Sequence, residues 1–151
     1  MLGYFIEVNQ LKARLIACPD EVNSAVEAAR WLRVPLEQIV KSLVFLDAEG
    51  EPVLLLLRGS DQADSEKVKK VLRTNQLKLV SPTQVLEITG YEMGGVPPIS
   101  IFAMKTICDE KVFLEKNVFC GGGDNKTVLE ISPDEIQKSV EDFEVADITS
   151  N

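Results

Sequence analysis

Lys41 stands in Val40-Lys41-Ser42-Leu43-Val44-Phe45, a stretch that is otherwise apolar except for Ser42. An ammonium group among aliphatics has two outlets. It lies at a strand end and reaches water along its own stem, or it points into a polar cavity and holds an anion. A second feature is the run Gly90-Tyr91-Glu92-Met93-Gly94-Gly95-Val96-Pro97-Pro98. Adjacent glycines permit unusual dihedrals and close approach of a ligand to backbone, and the two prolines fix the exit. Such a loop either presents N–H and C=O groups to a small polar group or simply turns the chain from helix to strand. Cys120-Gly121-Gly122-Gly123 is the third. Three glycines suit backbone amides facing an anion, or a tight turn. No Gly-Lys-Ser/Thr follows, so the run is neither a Walker phosphate loop nor a dinucleotide fingerprint.

Composition removes several alternatives. The 151 residues contain no His. Ser-His-Asp triads, Cys-His pairs and His-ligated zinc are therefore excluded. Three cysteines, Cys18, Cys108 and Cys120, are widely spaced and odd in number. They suggest neither a disulfide framework nor a CxxC metal pair, and a reducing cytoplasmic location is the expectation. Asp and Glu are scattered with no metal-ligand spacing, so no metal or cofactor is expected. With 16 basic against 24 acidic residues the net charge is −8. Any nucleic-acid contact then needs a local basic patch. Lys67, Lys69, Lys70 and Arg73 form the main such cluster, although such runs are commonly a solvated helix face. The N-terminus lacks the apolar run of a signal peptide, and the aliphatic stretch Val53–Leu57 is too short for a bilayer, so no membrane contact is expected.

These candidates must be positioned by a mixed α/β set of elements in one domain spanning 1–151. An N-terminal turn or short helix leads to a strand at Ala13–Cys18. Asn23 or Ser24 caps a helix to about Arg33, with Val22, Val26, Ala29 and Leu32 on its apolar face and Pro35 helping to end it. Strands Ile39–Leu46 and Val53–Leu57 flank the turn Asp47–Glu51, and the second does not alternate, as a strand buried on both faces would not. A short helix is expected over Asp64–Leu72. Ser81-Pro82-Thr83-Gln84 is a capping box that opens a helix ending near Gly90. Strand-like segments follow at Ser100–Ile107, Lys111–Leu114, Asn117–Cys120 and Thr127–Ile131. Ser132-Pro133-Asp134-Glu135 reads as a second capping box for a helix to about Val140, and the acidic tail after Glu144 is expected to fray. The order is mixed rather than strictly βαβ, so a mixed sheet with helices around it is expected.

Taken in order, Lys-Ser-Leu-Val-Phe at 41–45, Gly-Tyr-x-x-Gly-Gly-Val-x-Pro at 90–98, Gly-Gly-Gly at 121–123 and Ser-Pro-Asp-Glu-Ile at 132–136 resemble the YbaK/ProX family. These are aminoacyl-tRNA editing domains related to the insertion domain of bacterial prolyl-tRNA synthetase. The resemblance runs from about Ala25 to Val140. Arg58 to Val68 adds a partial match to the Arg-Gly-Asp-x-x-x-Asn-Glu-x-Lys-Leu stretch of the insertion domain, with Asp64 for the Asn and Ser65 for the Glu.

The resemblance implies a mixed, partly barrel-like sheet surrounded by helices. It implies metal-independent hydrolysis, in trans, of the ester joining a wrong amino acid to tRNA, with tRNA-Pro carrying Ala, Cys or another small amino acid as the substrate. Lys41 would hold the phosphate of the terminal adenosine. Gly94, Gly95, Val96 and Pro98 would hold the aminoacyl group through backbone atoms. Ser42, Tyr91, Pro97, Gly121, Gly122 and Gly123 would complete the substrate site. Arg58 joins Lys67, Lys69, Lys70 and Arg73 as weaker candidates for the tRNA body. An aminoacyl-tRNA synthetase is a further partner to be expected. Two other classes remain open: a non-catalytic module that binds aminoacyl-tRNA or a synthetase, and a small-molecule hydrolase on the same scaffold.

Overall fold

A computed structural model describes residues 1–150. Helix α1 covers Leu2–Val8, strand β1 Ala13–Ala17 and helix α2 Ala25–Leu32. Strands β2 (Val40–Leu46) and β3 (Pro52–Arg58) come next, then α3 (Ser65–Leu72), the short β4 (Lys78–Leu79) and α4 (Pro82–Thr89). The second half holds β5 (Lys105–Asp109), β6 (Val118–Gly121), β7 (Thr127–Ile131), α5 (Pro133–Ser139) and β8 (Phe143–Ala146).

The strands form two sheets, in the orders β1-β7-β6 and β4-β2-β3-β5-β8. The first is antiparallel. In the second, β2 pairs antiparallel with β3 and β4, while β3–β5 and β5–β8 are parallel. One parallel bridge, Ile39 to Phe119, joins the two sheets. The fold is thus mixed α+β. No closed barrel forms among the described residues, so the barrel-like part of the expectation is not met.

The hairpin follows its sequence signal. Asp47 Oδ1 accepts from the amides of Glu49 and Glu51, and Gly50 takes φ +80°. Strand β3 lies between β2 and β5, and residues 53–57 are all buried, as a run without alternation requires. Strand β2 alternates around it. Val40 and Val44 join one core cluster with Leu54 and Leu56, while Leu43 and Phe45 pack with Val53, Leu55 and Leu57.

Other segments depart from expectation. Ser24 caps α2 by accepting from Glu27 N, and Arg33 closes the helix in the left-handed region at φ 57°. Of the expected face, Ala29 is buried and Val22 and Leu32 pack against the same cluster, whereas Val26 is exposed and Ala28 takes its place on the core. Ser81 and Gln84 do form a reciprocal capping box. Ser132 caps α5 through Glu135 N, but the Glu135 carboxylate accepts instead from Lys12 N at 2.7 Å. The second box is therefore half made, because Glu135 fastens the chain entering β1. Residues 110–114 form a 3-10 helix rather than a strand, since the Asp109 carboxylate caps them through Lys111 N. Of the expected Ser100–Ile107 strand only residues 105–107 are paired, and the strand continues past its expected end to Asp109.

The tail does not fray. Residues 143–146 form β8, and Ile148 and Thr149 are fully buried. Asp109, also fully buried, accepts from Ile148 N, Thr149 Oγ1 and Lys111 N. Lys67 Nζ donates to Asp147 and to the Thr149 carbonyl. The hydrogen bond from Lys67 holds the Asp147 carboxyl below its usual range. That contribution is present above the unfolded carboxyl pKa of about 4 and is lost as pH falls through the depressed folded value. Asp109→Ala should remove the acceptor of two backbone amides and cost about 2–4 kcal/mol. Urea unfolding measures it, and a loss under about 1 kcal/mol would show that the tail is held by packing alone.

Candidate active site

Strand β2 is paired with β3 along its whole length. On its other side it meets β4 only at Phe45 and Leu46, and the neighbouring sheet only through the Ile39–Phe119 bridge. Between these points the edge of β2 has no strand partner among the described residues. A cavity of about 210 Å³ lies there. Its wall includes Lys41, Ser42, Gly94, Val96, Gly121 and Asp124. The segment Val22–Ala25 and the aromatic ring strand residue Phe119 complete it.

Lys41 is half-buried, and its ammonium group makes no ion pair or hydrogen bond among the described residues. The Ser42 hydroxyl oxygen is buried and has no hydrogen-bond partner. A buried polar atom without a partner costs about 1–3 kcal/mol, so Ser42 is a group awaiting a ligand or water. Alternation places Lys41 and Ser42 on opposite faces of β2, and both reach the cavity because it runs along the strand edge.

The Gly94–Pro98 loop begins with a turn in which Gly95 N donates to Glu92 O, with Gly94 at φ +93°. Positive φ at the third position of such a turn favours glycine. Gly94 and Val96 face the cavity; Gly95, Pro97 and Pro98 are buried and do not line it. Gly95 serves packing. A Cβ there would lie 2.7 Å from Asp124 Cα. One at Gly121 would lie 2.4 Å from the Val96 carbonyl oxygen, and one at Gly122 2.5 Å from the Thr127 carbonyl oxygen. The glycine triplet thus interlocks backbone to backbone with the Gly94–Val96 loop and with β7. Gly122 N donates to Thr127 O and Gly123 N to Gly95 O, so those two amides are occupied and do not face an anion. Gly121 alone of the three lines the cavity.

Tyr91 lies in the core, 5% exposed, with its hydroxyl donating to Ser100 Oγ at 3.0 Å. It supports the loop from behind. Arg58 is paired with Asp61 at 2.9 Å, both mostly buried. The hydrogen bond to Asp61 raises the guanidinium pKa further. Lys67 is committed to the C-terminal tail and Lys69 pairs with Glu66. Lys70 and Arg73 make no ion pair among the described residues, and no member of the basic cluster lines the cavity. Asp124, Asn23 and Thr127 are wall residues that the motifs did not single out.

Cys120 lines the cavity, fully buried, and burial pushes its thiol pKa strongly up. Cys108, buried beside Asp109, is pushed up to about 12. Neither supplies a thiolate near neutral pH. Among the described residues no group of three or more His, Cys, Asp or Glu is placed to hold a metal, and no helix is long and apolar enough to cross a membrane. A larger hollow of about 690 Å³ lies between Phe5, the segment 100–105 and Val140, and it contains none of the motif residues.

The interlock makes two glycines separable. Gly121→Ala should force the two loops apart and cost about 1–3 kcal/mol, with loss of cavity geometry. Gly94→Ala meets open space and pays only for its dihedral, about 1 kcal/mol. Unfolding midpoints of both variants test this, and an equal or reversed order would contradict the interlock.

Residues 19–139 match the family model for the aminoacyl-tRNA editing domain. A proline–tRNA ligase of Lactobacillus gasseri is 34% identical over 121 residues, 80% of this chain and 21% of that protein. One from Oleidesulfovibrio alaskensis is 32% identical over 111 residues, 74% of this chain and 19% of that protein. The chain thus spans about a fifth of the length of these curated relatives. A solved structure provisionally described as a trans-editing enzyme for prolyl tRNA synthetase superposes with TM-score 0.89 at 27% identity, covering 99% of this chain and 95% of that one. A crystallised hypothetical protein superposes at 0.91 with 29% identity, covering 99% of both chains. With a family model spanning most of its length, relatives of 32–34% identity over most of it and the same fold as these neighbours, this chain belongs to the aminoacyl-tRNA editing domain family.

Proposed function

We propose that the protein is a deacylase that hydrolyses the ester of a mischarged tRNA in trans, with tRNA-Pro carrying a small amino acid as substrate. The observation that carries this reading is the cavity itself. It sets an ion-pair-free Lys41 and the unpartnered Ser42 hydroxyl beside the Gly94–Val96 loop, in a chain of the editing family. The relatives that are proline–tRNA ligases, and the neighbour described as a trans-editing enzyme for that synthetase, support tRNA-Pro.

An aminoacyl ester is already activated, so positioning and oxyanion stabilisation suffice and neither imidazole nor metal is required. Lys41 holds the phosphate of the terminal adenosine at the cavity mouth. The ester carbonyl lies against the Gly94–Val96 backbone, whose amides at Gly94 and Val96 donate to no other group of the described residues. Those amides receive the developing oxyanion. Ser42 Oγ accepts from, or donates to, the attacking water. Water adds to the carbonyl carbon, the tetrahedral intermediate collapses, and the ribose oxygen leaves with a proton to give free amino acid and tRNA. The small cavity selects by steric exclusion, because one methylene inside a pocket is worth only about 1–3 kcal/mol whereas overfilling it is prohibitive.

The net charge of −8 favours one alternative, a module that binds aminoacyl-tRNA only when docked on a synthetase and does not turn it over. A deacylation panel separates the two: tRNA-Pro charged with Ala, Cys, Ser or Pro, with Lys41→Ala as control. Selective hydrolysis of one mischarged species, abolished in a folded Lys41→Ala, is expected. Binding without turnover of any member would favour the module. Wild-type rates from Lys41→Ala would remove Lys41 from the mechanism. Cys120→Ala should retain turnover of the same order, since its thiol is held protonated; loss of activity without loss of fold would bring a thiol back into the reaction.

A further inference from the structure

The cavity wall contains two charged residues of opposite sign, Lys41 and Asp124. The proposed reaction gives Lys41 a task and leaves Asp124 without one. Asp124 is an exposed residue of that wall, but its turn is held in place. Its backbone is pressed against Gly95, where even a methyl group would lie 2.7 Å from Asp124 Cα. Gly123 N donates to Gly95 O at 2.9 Å, tying the same turn to the same loop. Asp124 Oδ1 accepts from Lys126 N at 2.8 Å, which fixes the side chain over its own turn. It forms no ion pair among the described residues. A carboxylate has about four lone-pair sites on two oxygens, and only one is used. The fold therefore fixes the backbone of Asp124 against the loop that would receive the aminoacyl group, and its carboxylate has no ion-pair partner among the described residues.

The substrate of the deacylase reading carries matching charges. Its phosphate is anionic, and its α-ammonium group sits one carbon from the ester carbonyl. We infer that Asp124 is a specificity residue that receives the α-ammonium of the aminoacyl ester, an assignment that rests on the deacylase reading above. With the carbonyl against Gly94–Val96, the amine lies two bonds further on, toward the Asp124 turn packed on Gly95. The consequence is discrimination between classes of ester. A free α-amine is drawn in and oriented. An N-acylated ester, such as a peptidyl ester, carries no positive charge there and leaves the carboxylate unpaired. The protein thus hydrolyses mischarged aminoacyl esters while sparing chains already in synthesis.

The test uses the full chain and two esters of the same tRNA: the aminoacyl ester that the panel selects, and its 2-hydroxyacyl counterpart, in which a neutral hydroxyl replaces the ammonium. Assays run slightly below neutral pH, where the amine is protonated. Asp124→Asn is the variant, because its Oδ1 still accepts from Lys126 N and preserves the turn. The expected result is a fall of about fivefold or more in kcat/KM for the aminoacyl ester, with the hydroxyacyl ester changed by less than about twofold. Equal loss on both esters would make Asp124 a structural residue, and no loss on either would remove it from the site; both overturn the assignment. Hydrolysis of neither ester by folded wild type would instead overturn the deacylase reading, and this assignment with it.

Discussion

The close approach of two backbones governs the geometry of this molecule. Gly95 and Gly121 let the loop at 94–98 and the end of β6 meet at distances that no Cβ would permit. Everything at the cavity follows from that contact. It brings the loop to the open edge of β2 and carries the Asp124 turn with it. Side-chain packing could have brought the two segments near each other, but with several ångströms of slack and a choice of rotamers. Backbone against backbone leaves neither. Tyr91 and the buried Pro97 and Pro98 then brace the loop from the core side.

How much of this is written in the sequence varies with the kind of interaction. Signals confined to one turn or one strand are plain: the Asp47–Glu51 hairpin, the Ser81–Gln84 box, the non-alternating β3. The α2 face is misread at one position, because Ala28, small enough to approach the core, carries less hydrophobic weight than the exposed Val26. Strand β8 and the buried Thr149 are invisible locally. Their stability comes from Asp109 and Lys67, some 40 and 80 residues away in the chain. The same holds for Glu135, which looks like a capping partner and is taken by Lys12. In the site, the glycine motifs mark the right places but not their tasks. Glycines that look like an anion cradle prove to be clearance for neighbouring segments, and Asp124, in the turn that follows them, supplies a wall residue.

A cavity with no imidazole and with its one thiol held protonated is poor equipment for cleaving an amide. It is adequate for an ester whose leaving group is a ribose oxygen. Rate then depends on holding the carbonyl against fixed dipoles rather than on proton transfer by a tuned side chain. That places the demand on rigidity, and the interlocked glycines meet it. It also explains why most polar side chains near the loops, Tyr91 and Thr89 among them, are spent on buried hydrogen bonds that brace the scaffold.

The charge distribution sets the remaining constraint. With eight excess negative charges, the surface as a whole opposes a polyanion, and much of the apparent basic cluster on α3 is neutralised from within by Glu66 and Asp147. Under the deacylase proposal, recognition would then concentrate at the acceptor end rather than on the body of the tRNA. The opposite signs of Lys41 and Asp124 would matter more than total charge, because they would orient the charged end of the substrate inside a molecule whose surface repels its carrier.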